Sequence, residues 1–408
     1  MNVLITGAQF KNKGAQSLLF TVMNELRQHY GDVEIYYLPI DDCFSYPSDT
    51  YRFHVVFDDL GWLDYRYDPW NELRNIKHCI SKYHKWSKKH KETEILRLSQ
   101  VLKKLDAIIN VSGYSLTSKF IRVGNYRYLR VINEAKRHKI PMFLMPQSFG
   151  PFDYRDKKKM TKKIKRGIEK VDAVFARETE GRLSLKNEIG VSNDVLISPD
   201  VVLQSHSLKL ENIYVKTPEL HIPELGPGRK VGIVPNVQVL KNGNKNDILN
   251  LYRKIIEKLI SLGQSVYIFR HSNDLDMCKM IYQGYEDNCH VHLIEDDLNC
   301  IEYEEFIKQF DYIIASRFHS IVHAYKQGIP AIILGWAVKY IELANAVSQE
   351  QYVFDGTDIS NEQVNAILEK IRNMNDKYSD ESQLIKERVK AIQNNSCFNT
   401  VYQIIDRR

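Results

Sequence analysis

This 408-residue chain has no apolar run near the roughly 18 residues that a membrane span needs; the nearest, Ala331–Val338 (AIILGWAV), is too short. Its opening, MNVLITGA, has neither the basic start nor the long apolar stretch of a secretory signal, and a cytoplasmic location is the expectation. Cysteine is sparse. Cys43, Cys79, Cys278, Cys289, Cys300 and Cys397 include no CxxC pair and are expected as reduced, mostly buried thiols. A large excess of one charge is also missing: 57 Lys and Arg face 51 Asp and Glu, for a net of +6. A nucleic-acid binder more often carries a steep basic stripe, whereas phosphates or an anionic membrane surface suit a mild excess. Repeats and low-complexity segments are absent from the sequence.

What is present is enough for a large core. Hydrophobic residues make up 43%, charged residues 26% and aromatics 11%, which excludes a mostly disordered chain. At roughly 150 residues per domain, the length implies two or three domains. Short β-rich runs alternate with amphipathic stretches, the pattern of βα units on a parallel sheet. Strands are predicted at Val3–Thr6, Val33–Leu38, His54–Phe57, Ala107–Val111, Met142–Met145 and Ala173–Ala176. Helices are predicted at Gly14–Tyr30, Tyr126–Lys139 and Lys157–Lys170, the last with Met160, Ile164 and Ile168 on one apolar stripe.

From Leu208 to Arg229 three prolines and two glycines interrupt any period, and the segment reads as a linker. Strands resume at Val231–Val234, Val266–Phe269, His290–Leu293, Tyr312–Ala315 and Ala331–Leu334. The expected fold class is therefore α/β, with domains at 1–207 and 230–408 facing across a cleft and the linker at 208–229. The last helices are expected to pack back on the first domain. Ligands of open α/β sheets sit at the carboxyl ends of the strands. The polar, basic and aromatic region Gly61–Lys104 reads as an insertion over the cleft.

Chemistry-bearing residues gather at those strand ends. The first strand runs into GAQFKNKGAQSLL, where Asn12 can cap the helix, Lys13 adds a cation and Gly14 opens the turn; the glycine spacing is not GxGxxG. An ordinary strand-to-helix turn explains this spacing equally well. The strand ending at Ala315 is followed by Ser316, Arg317, Phe318 and His319 on the turn into a helix. Arg presents a fork that fits phosphate or carboxylate, and His carries protons near neutral pH. The bland alternative has Arg317 paired with a surface acid and His319 capping the helix. His319 and His323 share a helix face, but without HExxH or a neighbouring carboxylate ligand no metal site is assigned. Arg177 follows a strand directly and is a second anion contact, or else a partner of Glu178 or Glu180. Gln147 and Ser148 line the same edge, as do Gly335, Trp336, Lys339 and Tyr340 after the next strand. Trp336 and Tyr340 are either sugar-stacking rings or core. His271 is the weakest candidate, a polar loop histidine by default. The basic, aromatic stretch Lys77–Lys91 reads as a solvated face or as a contact for an anionic membrane.

Taken in order, NKGAQSLL at 12–19, PQSFGPF at 146–152, ARE at 176–178, PDVVL at 199–203 and SRFHS…GIPAIILGW..KY at 316–340 resemble the polysaccharide pyruvyl transferase family. The resemblance implies two Rossmann-like domains of the GT-B kind. It also implies transfer of a pyruvate ketal from phosphoenolpyruvate to two hydroxyls of a sugar in bacterial capsule or exopolysaccharide synthesis. On that basis Arg317 and His319 contact the donor and act in catalysis, the Phe318 backbone lies beside them, and Arg177 is a second clamp. The acceptor implied is a sugar, galactose or a related hexose; the sequence leaves open whether it is carried on a lipid-linked oligosaccharide, which a cytoplasmic location and the basic aromatic stretch would suit with the enzyme at the inner face of the membrane, and no cofactor, metal or nucleic acid is implied. The sequence has Ser112-Gly113-Tyr114-Ser115 where many members carry a glycine run, and Gly61–Lys104 aligns with nothing, so the acceptor stays open. A nucleotide-sugar glycosyltransferase, with Glu342 or Glu302 holding a ribose, and a non-catalytic relative are the alternatives.

Overall fold

The computed structural model describes residues 1–10, 12–40, 49–61, 96–120 and 122–408. The stretch Lys77–Lys91, most of the Gly61–Lys104 region, Cys43 and Cys79 lie outside the described residues.

Two parallel sheets carry the chain. The first has eight strands in the order β4-β3-β2-β1-β5-β6-β7-β8. They are β1 (Asn2–Thr6), β2 (Glu34–Leu38), β3 (His54–Phe57), β4 (Leu96–Arg97), β5 (Ala107–Asn110), β6 (Met142–Gln147), β7 (Ala173–Ala176) and β8 (Leu196–Ile197). The second runs β11-β10-β9-β12-β13-β14. Its strands are β9 (Lys230–Val234), β10 (Ser265–Phe269), β11 (Val291–Ile294), β12 (Tyr312–Ala315), β13 (Ala331–Gly335) and β14 (Val353–Asp355). The helices of eight residues or more are α1 (Lys13–Tyr30), α2 (Arg122–Arg137), α3 (Lys157–Ile168), α4 (Lys245–Ser261), α5 (Leu275–Tyr282), α6 (Cys300–Ile307), α7 (Phe318–Lys326), α8 (Val338–Ala346), α9 (Asn361–Asn394) and α10 (Cys397–Asp406).

Central strands such as β1, β5 and β12 are buried along nearly their whole length because helices cover both faces, which is why they read as unbroken apolar runs. Strand order reverses at β1/β5 and at β9/β12, so each sheet has a crevice outside those carboxyl ends. The segment between the lobes is irregular apart from a single turn at Leu210–Ile213 and touches both: Lys209 N–H donates to Asn24 and Val215 N–H to the Thr50 carbonyl, while Gln309 donates to the Pro223 carbonyl and Gly226 N–H donates to the Tyr267 hydroxyl. The chain then returns. Helix α10 reaches the first lobe, where Asp406 accepts from the Tyr30 hydroxyl and Arg408 pairs with Asp172. Among the described cysteines none is paired; Cys278, Cys300 and Cys397 are buried and Cys289 is exposed. No described helix is long and apolar enough to cross a membrane.

Candidate active site

After β12 the chain passes through Ser316 and Arg317 in extended geometry and enters α7 at Phe318. Ser316 is fully buried. Its hydroxyl bonds Tyr252, and its carbonyl accepts from Asn236 (3.1 Å) and from the Tyr340 hydroxyl (2.9 Å). Ser316 and Tyr340 therefore frame the turn and have no face for a substrate, contrary to the sequence expectation. Gly335 serves the same frame: a Cβ there would lie 2.6 Å from the Tyr340 ring. Trp336 is half-buried, 5.4 Å from the Tyr340 ring.

The Arg317 fork is occupied. Its Nε and Nη2 donate to the two oxygens of Asp274 at 2.7 and 2.5 Å. This is the acid pairing weighed as the bland alternative, except that the acid is buried rather than on the surface. A desolvated carboxylate requires a cation partner, and Asp274 in turn accepts from the Val237 N–H, fixing Arg317 to the turn after β9 and to the start of α5. Arg317 keeps 23% of its side-chain exposure, but with Nε and Nη2 on Asp274 it offers no free fork.

Arg177 is filled more completely. Nε meets Glu178 at 2.9 Å, Nη1 meets Asp200 at 3.0 Å and Nη2 donates to Ser148 at 2.7 Å. Ser148 also donates to Glu178, closing the network. Burial opposes the charge of Arg177, but Glu178 and Asp200 outweigh it and raise its pKa. Of the two acids named for it in the sequence, Glu178 is the partner. Arg177 is thus a buried organiser of carboxylates, and the expected anion clamp is corrected. Its guanidinium carbon sits 4.3 Å over the Phe318 ring, so it reaches α7 through an aromatic face.

His319 lies between these groups. Its Nε2 is 3.8 Å from Asp200, and no hydrogen bond to that nitrogen is made among the described residues. Burial pushes its pKa down to about 3, with Arg177, His323 and Lys339 adding to the shift and Asp200 opposing it. The imidazole is neutral at neutral pH, in a setting where Asp200 can stabilise a proton gained. Lys339 is the cation with no carboxylate in contact among the described residues. Its Nζ stands 5.3 and 5.4 Å from the Phe318 and Tyr340 rings, and burial, then Arg177, lowers its pKa to about 8.

The first turn of α1 closes the site from the other lobe. Asn12 caps it, accepting from the Gly14 and Ala15 N–H groups, so those donors are not open to an anion as the sequence suggested. Lys13 is buried and paired with Asp297 of the second lobe at 2.8 Å. Gly14 is required because the His319 ring rests on its backbone. Gln16 accepts from the Cys300 N–H, and Ser17 Oγ is 2.9 Å from His323 Nε2. His323 Nδ1 faces Glu304 at 3.2 Å, which also binds Lys326 at 2.8 Å. Both His323 nitrogens are engaged, so it does not join His319 as a free ligand pair.

Gln147 is fully buried against Tyr128 and Asn110 and lines nothing. His271, expected as a loop histidine, is buried with an unpartnered Nε2, its ring 6.4 Å from those of His319 and His323; burial and those neighbours push its pKa well down. Glu342 accepts from Thr179 across the junction, and Glu302 forms the capping box of α6, so neither is placed as a free ribose acceptor. Asp200, Asp274, Ser17 and Glu304 were not singled out in the sequence, although Asp200 lies in the PDVVL motif and Ser17 in NKGAQSLL. A cavity of about 500 Å³ lined by Leu208, Leu220, Glu304 and Lys326 lies behind the Ser17–His323 contact and does not include His319.

Solved structures share this architecture. UDP-GlcNAc 2-epimerase from Neisseria meningitidis, bound to UDP-GlcNAc, aligns with a TM-score of 0.55 at 14% identity over 100% of both chains. Medicago truncatula UGT71G1 complexed with UDP-glucose gives 0.52 at 10% identity over 100% of this chain and 98% of that one. The spinosyn rhamnosyltransferase SpnG gives 0.51 at 9% identity over 100% of both. These are GT-B enzymes, and the likeness establishes the fold. No curated protein matches. The sequence model of the polysaccharide pyruvyl transferase family matches residues 12–337, from the cap of α1 to the turn after β13.

Proposed function

The chain belongs to the polysaccharide pyruvyl transferase family, and from that premise we propose that it moves a pyruvate ketal from phosphoenolpyruvate to two hydroxyls of a sugar. The observation that carries this reading is the pairing of Lys339, a cation without a contacting carboxylate, with a neutral His319 backed by Asp200. Phosphoenolpyruvate brings a phosphate and a carboxylate. Lys339 and the exposed edge of Arg317 hold them, while Arg177 keeps Asp200 and Phe318 in place.

His319 relays a proton in this scheme. It accepts one from the first sugar hydroxyl and delivers it to the methylene carbon, which becomes a methyl group as the hydroxyl oxygen bonds the central carbon. The second hydroxyl then bonds that carbon, the carbon–oxygen bond to phosphate breaks, and the second proton leaves with phosphate. Asp200 stabilises the imidazolium between the two transfers, and Lys339 stabilises the departing anion. The balance needs no redox partner or organic cofactor.

The acceptor is proposed as a hexose, galactose or a relative, on a lipid-linked oligosaccharide of capsule or exopolysaccharide assembly at the cytoplasmic face of a bacterial membrane. Incubation with phosphoenolpyruvate and candidate lipid-linked oligosaccharides should release phosphate and add the mass of a pyruvate ketal. Phosphate release only with a nucleotide sugar, or glycosyl transfer without phosphoenolpyruvate, would overturn the reading.

A further inference from the structure

We propose that the outward face of α3 is a docking surface for an anionic lipid bilayer. Residues 155–170 hold nine Lys and Arg against two carboxylates, a net of +7, while the whole chain nets +6. Lys77–Lys91 adds six lysines and no carboxylate, so the chain outside these two segments nets −7 and its basic character sits in the two of them.

The helix is fixed by its other side. Met160, Ile164 and Ile168 are fully buried in the first lobe's core, so the helix cannot roll and insert an apolar face. Opposite that stripe stand Lys158, Lys159, Lys162 and Arg166, all exposed. Lys158–Lys162 and Lys162–Arg166 are like-charge pairs one turn apart, which destabilise a helix. The first turn, Lys157–Lys159, puts three cations at the positive end of the helix dipole, against the single carboxylate of Asp156 at the N-cap. Lys165 finds Glu169 only at 3.9 Å, and Lys163 is folded over the Tyr126 ring. Local energetics oppose this arrangement on two counts, and an external sheet of negative charge relieves both.

A bilayer fits better than a nucleic acid. The four exposed cations lie along one side of a single helix, and α3 itself carries no aromatic ring on which a base could stack. Headgroup phosphates in a plane match cations spaced along one helix, held by charge alone. Helix α3 follows the loop carrying Ser148, which bonds Arg177 at the cleft, so its first turn starts from the carboxyl edge of the first sheet. The relevance of that placement rests on the lipid-linked acceptor proposed above; the binding itself does not.

The full chain, without substrate, should float with vesicles containing about 30 mol% phosphatidylglycerol and not with phosphatidylcholine alone, and about 0.5 M NaCl should release it. The combined variant Lys158→Glu, Lys159→Glu, Lys162→Glu and Arg166→Glu should lower that partition at least about tenfold while keeping phosphoenolpyruvate binding. The milder pair Lys158→Gln and Lys162→Gln should give an intermediate loss and serves if the first variant folds poorly. Equal partition of wild type onto both vesicle types, undiminished partition of the variants, or tighter binding to duplex DNA than to the anionic vesicles would each overturn the inference. Failure of pyruvyl transfer with normal vesicle partition would instead count against the proposed reaction.

Discussion

The His319 imidazole occupies the space that any side chain on Gly14 would need: an added Cβ would lie 2.2 Å from His319 Nδ1. A helix start in one lobe and a helix start in the other are thereby held at the separation of a ring from a bare backbone. Gly14→Ala should force them apart, costing about 1–3 kcal/mol in urea unfolding and most of the turnover. Adding His319→Ala should restore the stability and not the activity. Purely additive losses in the double variant would show that the two residues do not compete for this space.

His319→Ala by itself should abolish phosphate release while phosphoenolpyruvate still raises the melting temperature. His319→Gln should behave alike, since it fills the site without carrying a proton. Turnover within about tenfold of wild type would remove His319 from the chemistry.

Acid and base should affect different residues. Histidine in the unfolded chain titrates near 6.5 and His319 in the fold near 3, so between these values the unfolded state binds the extra proton. Stability should rise with pH across that window and level off above it. Glu304 acts the same way lower down: burial alone would raise its pKa, but Lys326 and His323 bring it to about 2 from 4.5, a contribution lost as pH falls through that range. At the other end Lys339 loses its proton near pH 8, and kcat/KM for phosphoenolpyruvate should fall above it. Lys339→Arg should move that fall upward, and Lys339→Met should weaken donor binding about tenfold or more at every pH. An unchanged alkaline limb in both variants would release Lys339 from donor binding.

Ser17 and His323 meet across the lobes with Glu304 behind them. Ser17→Ala and His323→Gln should each destabilise the protein by about 1–3 kcal/mol, and their double-mutant cycle should show coupling of at least about 0.5 kcal/mol. Additivity would mean that the contact contributes nothing.

Arg177→Met should cost about 3–5 kcal/mol, because Glu178 and Asp200 would be left buried without a cation. A fully stable variant with only a raised KM for donor would return Arg177 to the role of clamp.

Much of this architecture is legible in the sequence where burial is two-sided. The predicted strand at Tyr312–Ala315 coincides with β12, and several others differ by a residue or two. The short strands β4 and β8 escape because two residues carry no period, and Leu196 and Ile197 are exposed on the sheet edge. At the site, the turn from Ser316 to His319 was readable because it follows a buried strand and opens a helix. Its partners were not. Asp274, Asp200 and Ser17 come from other elements, and nothing near them in the chain marks the arginine or imidazole that each will meet. Tyr340 and Gln147 mislead for a related reason, since a polar atom that completes a buried hydrogen bond looks in sequence like one awaiting a ligand.

Helix α10 ends against the lobe that holds residue 1, with Gln204 accepting from the Cys397 N–H and the Tyr30 hydroxyl donating to Asp406. The second lobe is in effect spliced into the first. Severing the chain at the crossing near residue 208 would therefore yield no autonomous half: the front fragment would lack its closing segment, and the rear fragment would carry that segment with nothing to cover it.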